Sequence, residues 1–215
     1  MKLDLGLSIP GIAVRRYGIQ STTWDPVLTD SNITLSNGNK TATAVGSGWK
    51  SSIATGSQKF GKRYWRTKLT GTTFMLAGLA NASAALSNYI GSEINGIGAY
   101  VPPNSPGTNG AIQLNGGIVG AFPILITSGD FLVIAYDQPS ALFYATTMTA
   151  SGVLNPNWNL TSANPASGTG GMDMSVITGS KVPATSILSS GDMTTLDTVT
   201  VISDPTLVGF SPYDS

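Results

Sequence analysis

The sequence contains no cysteine and no histidine, and both absences narrow the chemistry that it can perform. Without cysteine there is no disulfide framework and no thiolate nucleophile. Without histidine, His-based triads, imidazole zinc sites and imidazole pH switches are excluded. Charged residues make up only 10% of the chain, against about 25% in an ordinary soluble domain. Eleven Lys and Arg balance eleven Asp and Glu, which argues against nucleic-acid binding through clustered cations.

Long apolar runs and sustained helical periodicity are also missing. The longest apolar stretches, such as 131–136 and 118–126, fall well short of the roughly 20 residues of a membrane-spanning helix. Short β-branched and aromatic runs instead recur between clusters of Gly, Pro, Asn and Ser. With 215 residues and 41% apolar content, the chain is large enough for one all-β sandwich. A single helical turn is predicted, at Ala84–Asn88.

Several segments predict individual strands. Asn37-Gly38 predicts a hairpin between Asn32–Leu35 and Lys40–Ala44, because both turn residues tolerate positive φ. Tyr64–Leu69 alternates, which places Trp65, Thr67 and Leu69 on the buried face of a strand. Continuous apolar runs predict central strands that are covered on both faces. The remaining predictions are central strands at Thr73–Ala80 and Phe131–Asp137, and further strands at Ala141–Thr147, Ile97–Val101, Ala111–Leu114, Met172–Ile177 and Thr195–Ile202.

The chain divides into an arm, residues 1–22, and one domain, residues 23–215. In the arm, apolar residues alternate with polar ones before Pro10-Gly11 interrupts the pattern; they are Leu3, Leu5, Leu7 and Ile9. Such an arm adds a strand either to its own sheet or to that of a neighbour, and the pattern leaves both alternatives open. Within the domain, Pro102–Gly110, Asn155–Gly171 and Gly179–Gly191 are predicted to be long loops, which in compact domains often carry function.

Short motifs spread over residues 23–213 occur in the order found in SPRY domains of phages and prophages. They are Thr23-Trp24-Asp25-Pro26, the hairpin 33–39, Lys59–Trp65, Gly78-Leu79-Ala80-Asn81, Tyr89-Ile90-Gly91, Ser128–Asp137 and the loop segments 157–159 and 164–171. Taken together, the chain resembles this family, with two departures. Arg66 stands where the family has Glu, and Val201-Ile202-Ser203 replaces its Asn-Phe-Gly.

The resemblance implies a bent antiparallel β-sandwich of the jelly-roll, concanavalin-like type. The extended N-terminal arm, inferred above from its own alternation, is added to this sandwich. It also implies a binding module rather than an enzyme, carried by a virion tail, fibre or baseplate protein. We therefore expect a multicopy, non-enzymatic virion protein, assembled in the host cytoplasm, that recognises a host-surface glycan or protein. The arm residues Leu3, Leu5, Leu7 and Ile9 are expected to dock it to other virion proteins. The alternative is a purely structural protein that decorates or cements the capsid or tail; neither nucleic-acid binding nor membrane insertion is expected.

Candidate binding residues lie in or beside the polar loops. Aromatic rings among Gly, Asn and Ser offer contact area to a ligand at little entropic cost. The candidates are Trp49, Tyr89, Tyr100, Asn155, Trp158 and Asn159. For each of the four aromatic candidates, the alternative is that the ring pins its loop to the sandwich. Lys59, Lys62, Arg63 and Arg66 form a cationic cluster that fits a solvated strand edge.

No catalytic residue, metal or cofactor is expected. The segment Gly56–Arg63 nearly matches a phosphate-binding loop but lacks the final hydroxyl and precedes a strand. The Asp residues do not have the spacing of calcium ligands. The sequence leaves a glycan depolymerase as a further alternative. Such an enzyme needs two carboxylates about 5–10 Å apart, and the sequence has few candidates for this pair. The only Glu is Glu93, while Asp130 and Asp137 flank a predicted strand and are typical turn residues.

Overall fold

Two β-sheets packed face to face make up the protein in the computed structural model, which describes residues 21–71, 73–101, 110–122, 126–159 and 163–215. Within these ranges the only helix is the short 3-10 turn Pro205–Leu207. The predicted all-β antiparallel sandwich is therefore confirmed. None of the helical structure in this part of the chain is long and apolar enough to cross a membrane.

The first sheet has seven strands. In spatial order they are β1 (Trp24–Thr29), β4 (Lys50–Ala54), β13 (Val182–Ile187), β6 (Met75–Ala80), β7 (Gly96–Val101), β8 (Gly110–Leu114) and β9 (Gly117–Phe122). All neighbours in this sheet pair antiparallel.

The second sheet has eight strands, seven of which lie in one continuous order. These are β12 (Met172–Asp173), β11 (Leu142–Met148), β10 (Phe131–Asp137), β5 (Lys62–Thr70), β14 (Met193–Asp197), β3 (Thr41–Ala44) and β2 (Ile33–Ser36). The eighth, β15 (Ser211–Pro212), pairs in parallel with β5.

The main core fills the space between the two sheets. Trp65, Thr67 and Leu69 of β5 are buried there, so the alternation predicted for this strand is confirmed. Large side chains from both sheets interdigitate with them, among them Trp24, Met75, Phe122, Tyr136 and Phe143. Burial of this apolar surface is the main force that holds the two layers together.

Both outer faces of the sandwich are also covered. The segment 81–95 lies over the first sheet, where Ile90 packs with Ile53, Ala80 and Ala184. On the second sheet a separate cluster joins Tyr64, Val133, Tyr144, Met148, Trp158 and Leu207. Strands β4, β6 and β13 are consequently buried along their whole length, which explains why they lack an alternating pattern.

One predicted loop proves to be a central strand. The stretch Gly179–Gly191 contains β13, which pairs with β4 on one side and with β6 on the other. Pro183 is tolerated because the pairing with β4 starts only at Ala184, so the missing N–H leaves no gap in that ladder.

Other element predictions need smaller corrections. Residues 84–88 form turns and bends rather than a helical turn. The strand predicted at Met172–Ile177 is reduced to two residues. The strand predicted at Thr195–Ile202 ends at Asp197, whose carboxylate accepts hydrogen bonds from the backbone N–H groups of Val199 and Thr200 and so starts a turn. The hairpin at Asn37-Gly38 is confirmed, with positive φ at both residues and also at Asn39.

One carboxylate joins the first and the last described segments of the chain. Buried Asp214 accepts hydrogen bonds from the Thr22 backbone N–H at 2.5 Å, the Thr22 hydroxyl at 2.7 Å and the Thr198 hydroxyl at 2.6 Å. The start of the sandwich is therefore held against its last residues. The arm residues Leu3, Leu5, Leu7 and Ile9 lie outside the described residues.

Buried tyrosines predict a limit on stability in alkali. Burial raises the pKa of Tyr144 to about 12 and raises the pKa of Tyr136 and Tyr213 further. The folded state therefore keeps phenol protons that the unfolded chain releases near pH 10, so stability is intact below pH 10 and falls as the pH rises above it. In a spectrophotometric titration, we expect these tyrosines to ionise together with loss of the near-UV circular dichroism. Ionisation of all seven tyrosines near pH 10 with the fold intact would contradict this.

Candidate functional site

Four aromatic side chains from separate parts of the chain meet at one end of the first sheet. The Trp49 ring centroid lies 5.5 Å from that of Tyr89 and 6.1 Å from that of Tyr100, and both pairs are tilted. Phe74 stacks on Tyr100 at 5.0 Å with an interplanar angle of 17°. We call Trp49, Phe74, Tyr89 and Tyr100 the aromatic cluster. Three of them were predicted from the sequence as binding residues.

The register of the first sheet explains why these residues meet. Lys50, Ile187, Met75 and Val101 lie opposite one another in a row across β4, β13, β6 and β7. Trp49 and Phe74 come directly before the first residues of β4 and β6, so both lie just outside this row at the end of the sheet. Tyr100 precedes Val101, the last residue of β7, and so lies one residue inside the row. Phe74 is further fixed because its carbonyl accepts a hydrogen bond from the backbone N–H of Leu188.

Tyr89 reaches the cluster on the segment 81–95, which is pinned to the outer face of the sheet. The Ser51 backbone N–H donates to the Leu86 carbonyl at 2.7 Å, and the Ser51 hydroxyl donates to the Asn88 carbonyl. One residue beyond Tyr89, the Ile90 backbone N–H donates to the Ser186 hydroxyl at 2.9 Å. Hydrogen bonds therefore hold the backbone on both sides of Tyr89.

Two glycines of β7 allow this close approach. A Cβ atom on Gly98 would lie 2.6 Å from the Ile90 carbonyl oxygen, and one on Gly96 would lie 2.9 Å from the Ile90 side chain. Any larger residue would push the segment away from the sheet. The position of Tyr89 thus depends on the absence of side chains at Gly96 and Gly98, against which Ile90 packs.

The turn before Trp49 is held by a buried lysine. The Lys50 ammonium donates to the Gly46 carbonyl at 3.0 Å and to the Gly48 carbonyl at 2.7 Å. These bonds close the exposed turn 46–48 directly beside Trp49.

The aromatic cluster is partly open to solvent and has no charged member. Phe74 is 37% exposed, while Trp49, Tyr89 and Tyr100 are half-buried. Burial raises the pKa of Tyr100 above its ordinary value. Ser47 and Asn88, which lie close to Trp49 and Tyr89 in the sequence, are exposed. Rigid aromatic faces provide contact area, and small polar groups near them provide adaptable hydrogen bonds. This combination suits an uncharged ligand that is rich in hydroxyl groups, or one whose surface has both apolar and polar parts.

The other three candidate residues lie elsewhere, on the outer side of the second sheet. Asn155 is half-buried and lines a groove of about 380 Å³ with Val153, Leu154 and Asn157. Trp158 is completely buried, and its indole N–H donates to the Thr206 hydroxyl at 2.9 Å. The buried Asn159 amide donates to the Phe143 carbonyl at 2.8 Å and accepts from the Ala145 backbone N–H at 2.8 Å. Trp158 and Asn159 thus pin their loop to β11, as in the alternative that the sequence left open.

Phe74 was not predicted from the sequence. It lies in the apolar run 73–80, which indicates a strand buried on both faces and gives no reason to separate one residue from the rest. In the structure β6 begins only at Met75, so Phe74 precedes the covered part of the strand. No signal in the local sequence marks that boundary.

The carboxylates considered for glycan hydrolysis all have structural partners. Asp130 accepts hydrogen bonds from the Thr127 backbone N–H at 2.8 Å and the Ala150 backbone N–H at 2.7 Å, and Glu93 accepts from the Ala85 backbone N–H at 2.5 Å. Asp137 lies 3.6 Å from the Lys62 ammonium. Asp130 precedes β10 and Asp137 is its last residue, so the two lie about 23 Å apart at the rise of a strand. Within the described ranges, no three side chains of the metal-binding types come together.

Three of the four cationic residues lie within 4 Å of a carboxylate: Lys59 near Asp214, Lys62 near Asp137 and Arg66 near Asp197. Arg63 instead donates to the Pro212 carbonyl and to the Ser215 hydroxyl. Strand β5 lies between β10 and β14, so the predicted strand edge is corrected to a central strand. Arg66 lies 2.8 Å from Asp197 and over the Phe131 ring at 4.1 Å. Burial alone would raise the pKa of Asp197, but hydrogen bonds from Thr200 and Arg66 and the charge of Arg66 lower it below its ordinary value. Asp197 therefore supplies the partner for the Arg that replaces the Glu of the resembled family.

Comparison with known proteins identifies the fold. The scan against family models and the search of curated proteins found no match. Among solved structures, the TRIM65 PSpry domain matches with a TM-score of 0.57 and 17% identity, covering 81% of this chain and 90% of that one. The SPRY domain of human HERC1 matches with a TM-score of 0.58 and 14% identity, covering 81% and 96%. Stonustoxin matches with a TM-score of 0.59 and 13% identity over 82% of this chain and 28% of the toxin chain. The chain thus has the SPRY fold.

Proposed function

We propose that this chain is a non-enzymatic binding module of a bacteriophage particle, and that the aromatic cluster contacts a glycan or protein on the host surface. The observation that carries this proposal is the convergence of Trp49, Phe74, Tyr89 and Tyr100 into one partly exposed group with 5.0–6.1 Å between ring centroids. Aromatic residues of this kind are enriched among those that dominate binding energy.

The position of the cluster relative to the arm supports this function. Trp49 precedes β4, whereas Thr55 follows it and its backbone N–H donates to the Thr23 carbonyl. The arm therefore leaves the sandwich about 20 Å from the cluster, at the opposite end of β4. A chain attached to a particle through its arm would present the aromatic cluster outward.

The phage assignment is supported by the ordered motifs of residues 23–213, which resemble SPRY domains of phages and prophages. A particle carries many copies of such a protein, so weak individual contacts suffice for attachment because the copies act together. The non-enzymatic assignment is supported by the carboxylates of Asp130, Asp137 and Glu93, since each is engaged by backbone N–H groups or a lysine.

Replacing Trp49 with alanine is expected to weaken binding of the full chain to bacterial envelope polysaccharides by about 30-fold or more, because central aromatic anchors contribute about 2 kcal/mol or more. The measurement is equilibrium binding to an array of purified envelope glycans and to whole host cells. Phe60→Ala is the matched control, because Phe60 is 76% exposed and follows Lys59, whose ammonium lies near Asp214 at the opposite end of the sandwich from Trp49. Its affinity should equal that of the unchanged chain.

The structural alternative predicts a different result in the same assay. A decorating or cementing protein would show no saturable binding to host envelopes and would instead bind particles that lack it. That outcome, or equal affinities for the Trp49→Ala and Phe60→Ala variants with both folded, would overturn the proposal. Melting curves of both variants establish that the fold is retained.

A further inference from the structure

The four outer edges of the two sheets differ in how they are protected. Exposed edge strands pair with other chains unless prolines, charges, bulges or short length prevent it. At the β1 edge, Asp25, Pro26 and a register shift provide this protection. The β12 edge has two residues, one of which is Asp173, and the four-residue β2 edge exposes Thr34 and Ser36.

The edge formed by β9 has almost none of these features. Its six residues, Gly-Ile-Val-Gly-Ala-Phe, include no charge and no proline. Ile118 is 72% exposed and Val119 is 43% exposed. In the described part of the chain, β9 pairs only with β8, and its single irregularity is the bulge at Val119. Its outer backbone groups are thus positioned to pair with another strand.

Partly buried apolar side chains lie where β9 meets the second sheet. A Cβ on Gly120 would lie 2.7 Å from the Met172 sulfur, so β9 of the first sheet packs against β12 of the second. Leu114 and Met172 are only partly buried there, although they pack against the main core. A further strand with apolar residues on one face would cover them.

The arm has the sequence that such a strand requires. Leu3, Leu5, Leu7 and Ile9 alternate with Lys2, Asp4, Gly6 and Ser8, so one face of an extended arm is apolar and the other polar. The apolar face spans about the length of the six-residue β9. Residues 2–9 contain one positive and one negative charge, so no net repulsion opposes pairing.

The geometry favours the arm of a neighbouring copy over the chain's own arm. The arm leaves the sandwich beside β1, and β9 is the sixth strand along from β1 in the same sheet. The direct distance is about 29 Å at the spacing of paired strands. Fully extended, a stretch of twelve residues such as 10–21 would reach at most about 40 Å, but the segment 81–95 covers the outer face that it would have to cross. A neighbouring copy offers β9 without that obstacle.

We propose that residues 2–9 of one copy pair with the free edge of β9 in the next copy, joining the chains head to tail. This inference rests on the docking role of the arm in the proposed function, and it identifies the β9 edge of a neighbouring copy as the surface to which the arm docks. The contact is heterologous, so repeated pairing closes into a ring or extends into a filament.

Two full-length variants test the pairing by complementation. Ile118→Lys places a charge on the acceptor edge, and a double variant, Leu5→Asp with Leu7→Asp, places charges on the apolar face of the arm. In sedimentation velocity, the unchanged chain is expected to associate, and each variant alone should associate at least tenfold more weakly. A mixture of the two variants should form a 1:1 dimer, because the intact arm of the first fits the intact edge of the second.

The matched control is Val27→Lys, which places the same charge on the β1 edge at a residue that is 84% exposed. This variant should associate as the unchanged chain does. Amide hydrogen exchange should show protection of residues 118–121 only in the associated forms. A monomeric unchanged chain, variants that associate normally, or a mixture that stays monomeric would each overturn the inference. Host-envelope binding by the monomeric Ile118→Lys variant is a separate readout, so failure of this inference is distinguishable from failure of the proposed function.

Discussion

Replacing Gly78 with alanine is expected to destabilise the fold severely. Gly78 lies in the middle of β6, opposite Gly98 of β7 and Ala184 of β13. A Cβ atom there would lie 1.9 Å from the Ile97 carbonyl oxygen and 2.7 Å from the Gly98 Cα. Both obstacles are backbone atoms, and β6 is hydrogen-bonded on both sides, so neither strand can move away. The expected loss in the free energy of unfolding is about 4 kcal/mol or more, a large part of the roughly 5–15 kcal/mol of an ordinary domain.

The measurement is the free energy of unfolding from urea denaturation followed by far-UV circular dichroism. Gly117→Ala, in β9 of the same sheet, is the matched control, because the nearest atom to its added Cβ would lie at 3.7 Å. We expect this control to change stability by no more than about 0.5 kcal/mol. A Gly78→Ala chain with the same unfolding midpoint as the control would show that β6 and β7 are not paired in this register.

Trp158→Ala is expected to lower the free energy of unfolding by about 3–5 kcal/mol, the usual cost of removing a fully buried aromatic side chain. Trp158 packs with Tyr64, Val133 and Tyr144 on the outer side of the second sheet. Its indole N–H also donates to Thr206, so it joins the loop after β11 to the C-terminal segment. Loss of the ring removes the packing that holds both segments.

A second variant separates the ring from its hydrogen bond. Trp158→Phe keeps an aromatic side chain and leaves the Thr206 hydroxyl without its indole partner, so a cost well below that of Trp158→Ala is expected, with about 1 kcal/mol from the hydrogen bond. Amide exchange should accelerate at 145–159 in the alanine variant while β6 and β7 stay protected. A loss below 1 kcal/mol for Trp158→Ala would indicate that this loop does not depend on the ring.

The fold was predictable where local signals agreed with their surroundings. The alternation around Trp65 and the Asn37-Gly38 turn each match the structure, because a strand with one polar face and a turn with positive φ leave clear marks in the sequence. The continuous apolar run at 131–137 indicated a central strand that is covered on both faces. This strand pairs with the predicted strand that follows it.

Strands β4 and β13 could not be predicted because their burial depends on distant segments. Both are rich in Ser and Thr, and β13 contains Pro183. Their polar side chains are satisfied across the sheet, as in the 2.8 Å hydrogen bond between Ser51 and Ser186. Such pairs become visible only when the register of the sheet is known, since the partners are 135 residues apart.

The individual residues of the candidate site were predictable from the sequence, but their arrangement was not. Trp49, Tyr89 and Tyr100 each lie beside polar loop residues, which marked them individually. Their convergence depends on the pairing of β4 and β13, so nothing in the local sequence indicated that they share one end of the sheet. The buried positions of Trp158 and Asn159 depend on the fold of the loop after β11, which their neighbours in sequence do not specify.

The carboxylate of Asp214 has a practical consequence for handling the protein. Because it binds Thr22, and because Arg63 donates to the Ser215 hydroxyl, the last residue emerges beside the start of the sandwich. A reporter or purification tag fused after Ser215 would leave the molecule on the side away from Trp49. Molecules captured on a sensor surface through that tag would all present their aromatic rings to the solution in one orientation.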